Sequence, residues 1–225
     1  MDRIIKKKVT EEWLNIFSQL SAFNQNKLYK VVGPCIIGIE LIKTPFKENY
    51  SPYFVIYPLW KQDVKTCLDY PILLMEFKDK KGFQYDIPYE NHEVFFDDVL
   101  TNVKKQIPLS LESDVSFKKI MSVLEEYSKT PPLSAAPNSY LQATLQEAKL
   151  KIALSIDISE AQKILQQISK RSWDVNHFKA CGVNVSKWLQ NLHEEISNRE
   201  NFLKQIETNK KEKKMLQLVS SELTI

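Results

Sequence analysis

A change of hydrophobic period constrains this chain more than any other feature. From Leu28 to Tyr89 the apolar residues fall in short runs rich in β-branched and aromatic side chains, whereas beyond Ile107 they recur every three or four residues. Runs of the first kind suit strands and spacing of the second kind suits amphipathic helices, which excludes a uniform architecture. The expected fold is α+β: a largely antiparallel N-terminal sheet flanked by helices, followed by an all-helical C-terminal region.

Thr10 reads as the N-cap of a first helix, with Glu11 and Glu12 at its positive end and Trp13, Ile16, Phe17 and Leu20 on one face. Cys35 to Lys43 and Tyr53 to Trp60 read as strands. Pro71 to Lys78 reads as a third, apolar until its last residues and so expected in a central position buried on both faces. Asp79-Lys80-Lys81-Gly82 has the composition of a tight turn, from which Phe83 to Tyr89 would return antiparallel as a fourth strand. Asn91 to Gln106 closes this unit as a helix ahead of Pro108.

Further on, a helix from Ser116 to Tyr127 ends at Thr130-Pro131-Pro132-Leu133-Ser134-Ala135-Ala136-Pro137-Asn138, which no helix can cross. Helices then span Tyr140 to Leu154 and Ser159 to Lys170, the latter with Ser159 as N-cap. A long helix starts near Asn184, with a seam of Leu189, Leu192, Ile196, Leu203 and Ile206 interrupted by Arg199. The expected organisation is an α+β domain over 1–108, a helix and proline-rich linker over 109–138, and a helical region over 139–225.

Composition removes several function classes. Only four glycines in 225 residues argue against a P-loop or a dinucleotide-binding loop. A net charge of +3, from 31 basic and 28 acidic residues, is too small to mark a nucleic-acid partner by itself. Two basic clusters, one of Arg3, Lys6, Lys7 and Lys8 and one of Lys210, Lys211, Lys213 and Lys214, read as solvated chain ends. Cys35, Cys67 and Cys181 are scattered and odd in number, so a reducing compartment and a cytoplasmic location are expected. No segment has the apolar length to cross a bilayer, so no membrane partner is expected.

The most chemically suggestive segment is Glu76-Phe77-Lys78, because residues two apart on a strand share a face. A carboxylate there can help hold a divalent ion while the ammonium steadies developing charge. Glu40, after Ile36-Ile37-Gly38-Ile39 on a neighbouring strand, supplies a second acid, and Glu11 or Glu12 lies on the first helix. An acidic residue on one strand followed by Glu-x-Lys on another resembles the restriction-endonuclease-like nucleases, over roughly residues 10–107. That resemblance implies magnesium-dependent phosphodiester cleavage by Glu40, Glu76 and Lys78, with nucleic acid as partner. The chain departs from the family in three ways: Glu40 replaces the usual aspartate, an extra strand precedes Glu76, and a turn and strand follow Lys78 in place of a helix.

His177 and Cys181 are four apart, as two ligands on a helix would be, but a zinc site needs a third and fourth donor. No metal or other cofactor is therefore expected outside the nuclease reading. Tyr53, Tyr57 and Trp60 belong to an aromatic strand, and Arg199 interrupts the last seam. These four are the candidates for contact with another protein. Without an assembled active-site signature, the sequence favours a non-enzymatic interaction module, such as an immunity protein or an accessory subunit of a larger complex.

Overall fold

The computed structural model describes residues 3–225. Helix α1 (Arg3–Ile16) begins well before Thr10. Lys7 pairs with Glu11 and Lys8 with Glu12 across one turn, which extends the helix into the basic cluster. Thr10 is therefore mid-helix rather than a cap: its hydroxyl donates to the Lys6 carbonyl at 2.9 Å and also meets the carbonyl of Gln25.

The N-terminal sheet is antiparallel and runs in the order β1 (Ser21–Asn24), β2 (Lys27–Val32), β3 (Cys35–Lys43), β4 (Asn49–Pro58), β5 (Leu73–Glu76), with the short helix α2 (Val64–Cys67) between β4 and β5. Strands β1 and β2 lie ahead of those expected from sequence. Gly33-Pro34 makes the turn into β3, and Gly33 takes the positive φ of 53° that a side chain resists. A Cβ at Gly33 would also sit 2.7 Å from the Cβ of Leu223, so the turn needs glycine for space as well.

Two expectations are corrected here. Strand β5 ends the β1–β5 path rather than lying centrally, and Leu74 is 39% exposed. The turn at Asp79 to Gly82 forms, with Gly82 N–H donating to Asp79 at 3.0 Å. The fourth strand, however, shrinks to a bridge between Lys78 and Gln84 and a two-residue β6 (Ile87–Pro88) that pairs with β4 instead. Asp86 explains the diversion: Thr44 and Lys47 hold its carboxylate at 2.8 and 2.7 Å and draw the chain toward the β3–β4 loop. Gln106 completes this edge, its side chain accepting from Lys78 N–H and donating to Lys78 C=O.

Helix α3 (His92–Gln106) and α1 meet the sheet at Tyr50. Trp13 donates to the Tyr50 hydroxyl at 3.2 Å, Tyr50 lies 2.7 Å from His92 Nδ1, and His92 Nε2 lies 2.8 Å from Glu12. A carboxylate only accepts, so Nε2 carries the proton, Nδ1 accepts, and Tyr50 donates to it. Burial pushes the His92 imidazole below its ordinary value against the pull of Glu12.

The second half holds β7 (Val115–Ser116), α4 (Phe117–Ser128), α5 (Tyr140–Ile156), α6 (Ile158–Ser169), α7 (Val175–Ala180), α8 (Val185–Ser197), α9 (Arg199–Lys210), β8 (Val219–Ser221) and β9 (Leu223–Thr224). Ser116, Ser139, Asp157, Asp174 and Asn184 cap five of these helices through side-chain oxygens. Asp157, not Ser159, caps α6 by accepting from the Ser159 N–H. The long last helix is two helices broken at Asn198, because Arg199 turns inward to the carbonyls that end α5.

One apolar cluster runs from Val9 to Leu223, so the sheet and the helices share a core. Strand β8 pairs parallel with β2, β9 pairs with β7, and Asn209 donates to the carbonyls of Leu59 and Lys61 at 2.8 Å each.

Candidate functional site

Register alone assembles a line of polar side chains across the sheet. Lys27 faces Glu40, Glu40 faces Tyr53, and Tyr53 faces Glu76, so these four residues of β2, β3, β4 and β5 project from the same side. At a strand spacing of about 4.8 Å, Glu40 and Glu76 have Cα atoms roughly 10 Å apart, with Tyr53 between them.

The next row of the same face holds Tyr29, Gly38 and Val55. Tyr57 lies one row further along β4, opposite Ile36. The two phenols converge on one atom: Tyr57 donates to Glu40 Oε1 at 2.9 Å, and Tyr29 donates to the same oxygen. Lys27 adds its ammonium to that oxygen at 3.1 Å, and it lies over both rings at 5.9 and 5.7 Å. The rings meet edge to face with centroids 6.0 Å apart. Gly38 makes room for them, since a Cβ there would lie 1.9 Å from the Leu28 carbonyl oxygen and 2.9 Å from the Tyr29 ring. Burial, reinforced by the charge of Glu40, pushes both phenols above their ordinary range and keeps them neutral donors.

At the far end of the line Lys78 pairs with Glu76 at 3.2 Å, both side chains about half exposed, and Gln84 donates to the Tyr53 hydroxyl. The sheet thus gathers Glu40, Tyr53, Tyr57, Glu76 and Lys78 on one face. Lys27 and Tyr29, which sequence reasoning passed over, complete the group. Glu12 is elsewhere, against His92, and Glu11 pairs with Lys7. Among the described residues, no three of the His, Cys, Asp and Glu side chains are grouped to hold a metal ion.

Trp60 and Arg199 lie outside this line. The Arg199 guanidinium donates to the carbonyls of Leu154, Ser155 and Ile156 at 2.7, 3.0 and 3.2 Å, closing the C-terminus of α5. Trp60 packs near Phe202 and lines a cleft of about 640 Å³ between the end of the sheet and the helical region. Tyr70, Tyr127 and Tyr140 add rings to this cleft, and His177 and Cys181 also line it. Its polar side is a chain of charges centred on buried Lys151, with both carboxylates partly open to solvent: Lys151 contacts Glu147 at 2.9 Å and Glu195 at 3.1 Å, and Trp188 donates to Glu147 at 2.7 Å. Burial pushes Glu147 up, but Lys151 and Trp188 outweigh it and hold the carboxyl below its usual range. Burial likewise opposes the Lys151 charge, and the two glutamates outweigh that and hold its ammonium above its usual value.

Comparisons with protein-family models, curated proteins and solved structures find no match. Among the described residues, no helix is long and apolar enough to cross a membrane.

Proposed function

We propose that this protein is a non-enzymatic interaction module, of the kind an immunity protein or an accessory subunit of a larger complex supplies. It works in the cytoplasm, in keeping with three free cysteines, and meets another protein through the line from Lys27 to Lys78. The observation that carries this reading is the condition of Glu40. Its Oε1 already receives Lys27, Tyr29 and Tyr57, so the buried end of the line has its charge balanced from within, and the open end at Tyr53, Glu76 and Lys78 is left to meet a partner. Around it, half-buried Tyr53 and exposed Leu74 are rimmed by Lys27, Glu76 and Lys78. An aromatic anchor inside a charged rim has the composition of a binding hot spot, and fixed charges of both signs select partner and register.

Affinity purification from the native cell tests the reading with wild type beside Tyr53→Ala. A discrete protein retained by wild type and lost from the variant is expected. The same retained proteins in both, or none in either, would overturn it.

A divalent-metal nuclease is the second reading. It is favoured by the placement of Glu40, Glu76 and Lys78 on one face, and magnesium would be its ion. Magnesium-dependent cleavage of DNA or RNA that disappears in Glu76→Ala would put it first, and absence of cleavage in wild type would end it.

A further inference from the structure

The outer edge of β5 presents backbone that the sheet itself leaves unpaired. Alternation along a strand fixes which groups face inward and which outward. Phe77 donates its N–H inward to the Pro52 carbonyl of β4 at 3.4 Å, whereas the N–H and C=O of Lys78 turn outward and are taken by the Gln106 side chain. Glu76 and Leu74, two and four residues before Lys78, therefore turn their N–H and C=O outward as well. No strand lies beyond β5, and among the described residues nothing outside the sheet bonds these groups. The Gln106 amide shows what the edge accepts: one donor and one acceptor, placed as a neighbouring strand would place them. At the start of β5 the edge runs into the 640 Å³ cleft, which Pro71 and Ile72 line together with Trp60, Tyr127 and Leu133.

We propose that β5 accepts an extended segment of the partner protein as an added strand. The main chain of that segment bonds Leu74 and Glu76, Gln106 stops it at Lys78, and its other end enters the cleft. Side chains that alternate along it meet different surroundings. The residue beside Glu76 is basic, the one beside exposed Leu74 is apolar, and the one at Ile72 is large and apolar and fills the cleft mouth. The signature of the partner is thus basic-x-apolar-x-large apolar, in that order or reversed according to strand direction. The proposal rests on the docking line from Lys27 to Lys78, whose open end at Tyr53 and Glu76 reaches this edge.

Short displayed peptides selected on the immobilised full chain, then synthesised, test it by amide exchange and affinity. Peptides carrying the signature are expected to slow exchange of the Leu74 and Glu76 amides at least about tenfold and to leave Met75, which faces β4, unchanged. Leu74→Pro removes an outward N–H and none of the sheet's own bonds, so it should keep the wild-type urea midpoint and weaken peptide binding at least about thirtyfold. Leu74→Val keeps the N–H and stays within about threefold. Should Leu74→Pro lose the wild-type midpoint, amide exchange alone decides. No enriched peptide, or peptides that bind without slowing these two amides, would overturn the proposal. A wild-type dimer that Leu74→Pro dissolves would also overturn it, by assigning the edge to a second copy of the chain. A cell partner lost from Tyr53→Ala yet kept by Leu74→Pro would overturn strand addition and leave the docking line standing. Peptide protection of the two amides, in a chain from which Tyr53→Ala removes no cell partner, would do the reverse.

Discussion

Glu40 in the sheet and Lys151 among the helices are both nearly lost from solvent, at 6% and 9% exposure, yet they are held in opposite ways. Lys151 finds Glu147 one turn back on its own helix and Glu195 on α8, so half of its environment is local in sequence. Glu40 has no local partner. Lys27 and Tyr29 reach it from β2 and Tyr57 from β4, and all of them depend on strand register. A helix carries part of a charge's compensation along its own turn, whereas a sheet must collect all of it across the register from neighbouring strands.

Removing each charge tests that contrast. Lys151→Ala should have the largest effect, a loss of about 4 kcal/mol of stability in urea unfolding, because it leaves Glu147 and Glu195 facing each other without a cation. Glu40→Ala should follow at about 3 kcal/mol, since two buried phenols lose their acceptor. Glu40→Gln, which retains an acceptor, should recover part of that loss. A Glu40→Ala cost no greater than that of an exposed substitution would break the comparison, by showing that the phenols find other partners.

Arg199→Ala should cost about 2 kcal/mol, the worth of charged hydrogen bonds to the three carbonyls ending α5, and should leave partner capture intact. Loss of capture without loss of stability would instead assign Arg199 to a partner surface.

The smallest effect is a slope with pH. Burial holds His92 below its ordinary 6.5, so the unfolded chain accepts a proton that the folded chain resists. This contribution to stability is complete above about pH 6.5 and is lost as the pH falls below it. The carboxyl of Glu147 is held below its ordinary 4.5, so its contribution disappears only in a more acidic range. The urea midpoint of wild type should therefore decline between about pH 7 and pH 5.5, and His92→Gln should flatten the decline. An unchanged slope in the variant would place the titrating group elsewhere.

The same contrast explains what the sequence disclosed. Ser116 and Asn184 marked helix starts because a cap and its apolar face lie within a few residues, and the α+β class followed from the change of period. Arg199 was visible as a break in a seam, but its carbonyl partners lie more than forty residues earlier and could not be read. Strand β2 was overlooked because Lys27 and Lys30 interrupt its apolar run. The Gly33-Pro34 turn was the available sign of a hairpin there. Glu40, Glu76 and Lys78 stand out in the sequence as charges at or beside the ends of apolar runs, yet their shared face depends on a register that only the folded sheet supplies.

Site-specific photo-cross-linking from position 53 in the native cell, with an exposed control position at Lys213, tests the proposed docking line most directly. One discrete protein adduct is expected from position 53, absent from the control and abolished by Glu76→Lys. Adducts to nucleic acid alone, or the same adducts from both positions, would contradict it.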